Sequence, residues 1–172
     1  MEKIFNISVF TENRIGILNR ITIIFTRRHL NIESITASES EVKGVYRYTI
    51  VVKTDEEQVK KVVGQIEKQV EVLKAFYHAD EDVVHQEIAL YKISTQAFLK
   101  GETESVIREH NARILAVEEA FIIIEKTGQP KELDQLFEDL DQFDVLEFVR
   151  SGRVAISKPM KTLKTYLHEL EH

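Results

Sequence analysis

What most constrains the fold of this chain is a change of period that occurs twice in its first half. Apolar residues alternate, then recur at helical spacing, then alternate again. Over residues 5–10, Phe5, Ile7 and Val9 share one side while Asn6 and Ser8 share the other, the period of two of a half-buried strand. After the polar break Thr11-Glu12-Asn13-Arg14, the residues Ile17, Leu18, Ile21, Ile24 and Phe25 form one stripe of a helix predicted over 16–28. Strands are predicted from residue 31 towards 39 and over 45–53, joined by a turn at Lys43-Gly44. Thr54-Asp55-Glu56-Glu57 has the spacing of a capping box and predicts the start of a second helix, striped by Val59, Val62, Val63 and Ile66. A fourth strand comes next, over 70–77. Strand, helix, strand, strand, helix, strand, with two right-handed crossovers, gives a four-stranded antiparallel sheet carrying both helices on one face.

The second half repeats the pattern more loosely. Strands are predicted over 88–95, 114–117, 121–126, 145–149 and 154–156, with a turn at Glu118-Glu119. A helix is predicted over 102–110, and another after Pro130, carrying Leu133, Leu136, Phe137 and Leu140. The expected fold class is therefore α+β, with tandem ferredoxin-like βαββαβ units. The expected division is a first domain over 1–78, a linker over 79–86 around the acidic run Asp80-Glu81-Asp82, a second domain over 87–157, and a tail over 158–169 whose residues 158–167 read as one amphipathic helix. Leu170-Glu171-His172 looks like the remnant of an expression tag.

Composition removes several function classes. The formal net charge is −6, and the basic pairs Arg27-Arg28 and Lys60-Lys61 do not extend into a stripe, which disfavours nucleic acid. No cysteine is present, which excludes disulfides and thiolate chemistry. No apolar run reaches the roughly 20 residues of a membrane span, and the N-terminus enters a strand pattern directly, so a cytoplasmic location is expected. The histidines are scattered without metal-ligand spacing, and Glu118-Glu119 fits a solvent-facing hairpin turn better than an acid–base pair.

The first strand–loop–helix carries the chemistry. Glycine at a helix start leaves unpaired N–H groups at the positive end of the helix dipole, and Gly16 has no side chain to obstruct a carboxylate or phosphate approaching them. Asn13 stands at the rim with a side chain able to donate or accept. Three blocks in order, Glu12 to Arg20 (Glu-Asn-x-x-Gly-x-Leu-x-Arg), Asn31-Ile32-Glu33-Ser34 and Arg47-x-Thr49-Ile50-Val51, resemble the N-terminal ACT domain of the acetolactate synthase (acetohydroxyacid synthase) small subunit. The segment from Gln65 to Val70 looks like that family's second helix running into the fourth strand. Thr127-Gly128, Leu133-Asp134 and Arg150-Ser151-Gly152 are similar to residues of its C-terminal domain. The chain departs from the pattern at Arg14, Ile15, Asn19 and His29-Leu30.

The resemblance implies an ACT effector-binding domain over 1–78 that pairs with a second copy, its effector a branched-chain amino acid, usually valine, held between the two. The effector carboxylate is expected at the N–H groups of Ile15, Gly16, Ile17 and Leu18. Asn13 completes the rim, and Asn31 with Ile32 reaches in from the partner chain. The resemblance also implies that this chain holds no catalytic site and no cofactor, and that a separate large subunit carries thiamine diphosphate, Mg²⁺ and FAD. A stand-alone amino-acid sensor is the alternative. An RNA-binding module of the same topology is a further one, suggested by Lys43-Gly44-Val45-Tyr46-Arg47-Tyr48 and tested by whether sheet aromatics lie exposed beside Lys and Arg.

Overall fold

A computed structural model describes residues 1–159 and 163–170. Its contacts divide the chain into two compact units, Met1–Val84 together with the return from Arg153, and His85–Gly152. In the first unit, β1 (Lys3–Glu12), α1 (Ile17–Arg27), β2 (Ile32–Glu39), β3 (Val45–Thr54), α2 (Glu56–Ile66) and β4 (Val72–Ala79) succeed one another. The strands pair antiparallel in the order β2-β3-β1-β4. Phe5, Ile7 and Val9 of β1, Ile21 and Phe25 of α1, Ile50 and Val52 of β3, and Val59, Val62 and Ile66 of α2 meet in one core. The ferredoxin-like reading of this half holds.

Three local details depart from expectation. The cap of α2 is Asp55, whose carboxylate accepts from the N–H of Gln58 at 2.9 Å, whereas Thr54 is still paired with Lys3 in the sheet. His29 comes after α1 with φ 55°, and the N–H of Leu30 returns to the carbonyl of Phe25 at 3.0 Å. Histidine here occupies a left-handed C-terminal position that glycine fills without strain. Finally, the predicted linker over 79–86 is structured. After Ala79 a single 3₁₀ turn, Asp80–Asp82, leads straight into β5 (Val83–Ser94). An acidic run normally marks a solvated loop, but here the carboxylate of Asp80 is neutralised by the guanidinium of Arg153 at 2.5 Å.

The second unit contains most of β5, then α3 (Thr95–Leu99), α4 (Glu102–Glu109), β6 (Arg113–Val117), β7 (Phe121–Gly128), α5 (Pro130–Asp141) and β8 (Val145–Arg150). Its strand order is β6-β7-β5-β8, all antiparallel, repeating the topology of the first unit. The motif residues have local roles. Arg150 ion-pairs with Asp134, and Ser151 brackets Ile88, its N–H donating to the Ile88 carbonyl at 2.9 Å and its Oγ accepting from the Ile88 N–H at 3.0 Å. A Cβ on Gly128 would lie 2.8 Å from the Glu132 carboxylate, the group that caps α5 through the N–H of Gln129.

Tyr91 is fully buried in this core and donates its hydroxyl to the Leu133 carbonyl at 2.7 Å. Burial pushes its phenol up to about 12 from 10.0. Between those two values the unfolded chain has lost the phenolic proton and the folded chain has kept it, so folding stability falls as pH rises. Urea unfolding of the parent is therefore expected to weaken more steeply above pH 10 than that of Tyr91→Phe. Parallel pH profiles for the two proteins would contradict this.

The chain then returns to the first unit. β9 (Val154–Ser157) and α6 (Leu163–Leu170) complete the described elements. The expected second domain ran to residue 157, while the contacts place the boundary at Gly152–Arg153. Of the tail helix predicted over 158–167, residues 158 and 159 form a bend, residues 160–162 lie outside the described residues, and the helix runs over Leu163–Leu170. Of the tag-like Leu170-Glu171-His172, Leu170 ends α6 and the last two residues are likewise outside.

The return has a large effect on β1, which is buried on both faces rather than one. Asn6, Ser8 and Phe10 are 2%, 6% and 3% exposed. Arg153 donates to the Asn6 side-chain oxygen at 3.0 Å, and its own carbonyl accepts from Thr36 Oγ1 at 2.9 Å. Arg47 donates to Ser8 Oγ at 3.3 Å and to the Ala155 carbonyl at 2.6 Å. Leu163 of α6 is buried against Phe10 and Val45.

Candidate effector site

The site starts at the end of β1. Glu12 donates its N–H to the Glu71 carbonyl at 3.0 Å, which anchors the strand end, and Asn13 to Gly16 then cross to α1. Gly16 caps the helix with φ 84° and ψ −2°, a left-handed conformation open to glycine at no steric cost, and no side chain caps the helix in its place. A Cβ at Gly16 would meet nothing within 4 Å, so the space above the helix start is open. The Ile17 N–H turns back to the Arg14 carbonyl at 3.4 Å, and the Arg20 N–H makes the first helical bond to Gly16 at 3.1 Å. Among the described residues, the N–H groups of Gly16, Leu18 and Asn19 meet no acceptor. Such a group of amides at the positive end of a helix favours an anion.

The predicted site residues divide into two sets. Asn13, Ile15, Gly16 and Leu18 are exposed around the helix start, and Ile15 is fully so. Ile17 is 3% exposed and its side chain belongs to the core, so it brings only its main chain to the site. Asn31 is exposed and Ile32 half-buried where the chain enters β2, the outer strand of the sheet. One edge of β2 pairs with β3 and the other carries no strand among the described residues.

An open hollow of about 700 Å³ lies beside the loop, lined by Glu12, Asn13, Arg14, Ile15, Arg20, Val70 and Glu71. Of the predicted set, only Asn13 and Ile15 line it. Its charges are internally balanced: Arg14 Nε reaches Glu12 Oε2 at 3.0 Å, and Arg20 Nη1 reaches Glu71 Oε1 at 2.5 Å. The Arg20–Glu71 pair ties α1 to the start of β4 beneath the loop. Sequence reasoning placed Arg20 in the loop motif but gave no sign of Glu71, which is 51 residues away.

The face expected to decide the RNA reading is occupied. Tyr48 is in the core on the helix side of the sheet. Phe10 and Phe76 do lie on the opposite face beside Arg47 and Lys74, but Leu163 packs on Phe10 and the Tyr166 ring stacks on Phe76 at 5.2 Å. The stacking surface a base would use is filled by the chain itself. Among the described residues no group of histidine and carboxylate side chains is arranged to hold a metal ion, and no helix is long and apolar enough to cross a membrane.

Comparison with known proteins agrees with the architecture half by half. Residues 7–74 match the family described as "AHAS small subunit-like ACT domain", and residues 86–159 match "Small subunit of acetolactate synthase". The chain is 35% identical over 159 residues to the acetolactate synthase small subunit of Bacillus subtilis, covering 92% of this chain and 91% of that protein. A probable acetolactate synthase small subunit of Archaeoglobus fulgidus is 32% identical, with 90% of this chain and 97% of that protein covered. The crystal structure of the small subunit from Thermotoga maritima superposes with a TM-score of 0.82 at 30% identity, over 92% of this chain and 99% of that one. The chain thus belongs to the acetolactate synthase small-subunit family.

Proposed function

We propose that this chain is the regulatory subunit of an acetolactate synthase, activating a separate catalytic subunit and conferring feedback inhibition by a branched-chain amino acid, with valine the first candidate. The catalytic subunit, not this chain, supplies thiamine diphosphate, Mg²⁺ and FAD. The observation that carries the effector reading is the left-handed Gly16 cap, where the N–H groups of Gly16, Leu18 and Asn19 stay open to an anion beside exposed Ile15 and Leu18. A free amino acid suits that arrangement. Its carboxylate goes to the amides and its aliphatic side chain to the isoleucine and leucine, while Asn13 and carbonyl groups take the ammonium.

In this reading two copies join through the open edge of β2, bringing Asn31 and Ile32 of one to the loop of the other. A ligand that touches both chains in only one arrangement favours that arrangement, and this is how occupancy becomes a signal to the catalytic subunit. The test is calorimetric titration of the isolated protein with valine, leucine and isoleucine, and then reconstitution with the catalytic subunit. Asn31→Ala is expected to weaken binding by about 1.5 kcal/mol, a little over tenfold, at the low end for the loss of one hydrogen bond to a charged ligand. Equal affinity for Asn31→Ala and parent would remove Asn31 from the site, and no binding of any of the three amino acids would overturn the effector reading.

A further inference from the structure

The first strand reaches the effector loop through an irregularity. In the β1–β4 pairing Phe10 faces Lys74 but Thr11 faces Val72, so Leu73 is an extra residue, a β-bulge at the last apolar residue before the loop. Bulges bend a strand and re-aim the residues beyond the bend. Both side chains at this bend, Phe10 and Leu73, belong to the small apolar cluster built on Leu163 and Leu167 of α6, with Val42, Val45 and Phe76. Tyr166 stacks on Phe76, whose ring is 5.8 Å from that of Phe10. The matched family ranges end at residue 159, so α6 lies beyond both.

We propose that α6 is a releasable strap that positions the effector loop: by packing on the Phe10–Leu73 bend it holds the direction in which Asn13 to Gly16 leave β1. An eight-residue helix has little stability of its own, and this one packs on the cluster through Leu163 and Leu167, with Tyr166 stacked on Phe76. Its docking free energy therefore belongs to the low end of local stabilities, where a contact opens without the core unfolding. When α6 lifts, the bend loses its cover and the loop samples directions in which the open N–H groups of Gly16, Leu18 and Asn19 are no longer held for one anion. Leu163 and Tyr166 are positioning residues for effector binding, acting through Phe10 without touching ligand.

This inference rests on the effector reading, but its first test needs no ligand. Amide hydrogen exchange of the full chain is compared for the parent, Leu163→Asp and the conservative Leu163→Met. The aspartate variant is expected to exchange freely over α6 and on the order of tenfold faster at the hydrogen-bonded amides within residues 10–18, those of Glu12 and Ile17 among them, with α2 and the second unit unchanged and the methionine variant matching the parent. In calorimetry the amino acid that binds the parent is expected to bind Leu163→Asp about tenfold more weakly. The strap is overturned if α6 stays protected in Leu163→Asp, if residues 10–18 do not respond to its release, or if the whole first unit exchanges faster together. If the exchange contrast appears but no amino acid binds the parent, the strap stands and the effector reading fails. If binding persists without the contrast, the reverse holds.

Discussion

Gly16→Asp is expected to abolish the effector response while leaving the chain folded and able to dock on its catalytic partner. At φ 84° a side chain is strained by roughly 1–2 kcal/mol, yet Asp and Asn tolerate this region better than other residues, and nothing lies within 4 Å of the new Cβ. The strain is therefore bearable, and the charge dominates. A carboxylate beside the first-turn amides occupies the anion position and repels the effector, by up to about 4 kcal/mol for unit charges 4 Å apart near a surface. The expected affinity loss is on the order of 100-fold or more. Gly16→Asn separates the two effects, since it fits the same backbone without the charge, and its expected loss is only about tenfold. Calorimetry on the three proteins checks this, and equal losses for Asp and Asn would show that shape, not charge, governs the site.

The second large effect is one of stability, at the Arg153–Asp80–Asn6 network. Arg153 is 5% exposed, whereas Asp80 keeps 39% of its side chain in contact with water. Without Arg153 the Asp80 carboxylate still meets water and accepts from Asn6 Nδ2 at 3.3 Å, whereas without the Asp80 charge the guanidinium stays buried beyond the reach of water and loses this counter-charge. Asp80→Asn is therefore expected to cost about 3–5 kcal/mol, in the range for an uncompensated buried charge. Arg153→Met should cost about 2–3 kcal/mol, mainly through an unsatisfied Asn6 oxygen and a partly desolvated Asp80. The double variant should recover a large part of the loss. Urea unfolding of the four proteins tests the ranking, and Arg153→Met costing more than Asp80→Asn would contradict it.

The sequence revealed most where neighbours along the chain decide the outcome. Period two and period 3.6 located the helices and the paired strands, Pro130 marked the start of α5, and Gly16 marked the helix start that the structure shows in a left-handed cap. It revealed least where the deciding partner is distant. Asn6 and Ser8 alternate with apolar residues and so suggested a solvent face, but their cover arrives from Arg153, 147 residues from Asn6. The same partner turns Asp80 from an element of a linker into half of an ion pair. The five residues of α3 are too few to show a periodicity, and Thr54 lost the cap to Asp55 because it remained in the β1–β3 pairing. At the site, the stripe through Ile17, Ile21 and Ile24 signalled the burial of Ile17, whereas Leu18, read as part of the same stripe, turns out of the core and is 45% exposed. Glu71 beneath the loop had no local signature at all.

The proposed effector site is divided between two chains, and mixed dimers test that division directly. A dimer of one Gly16→Asp chain and one Asn31→Ala chain places both defects in one site and leaves the other site intact. Titration of such dimers is expected to show half the parent stoichiometry at the parent's affinity. If loop and Asn31 instead served the same ligand within one chain, every site would carry a defect and no parent-like binding would return, which would contradict the account.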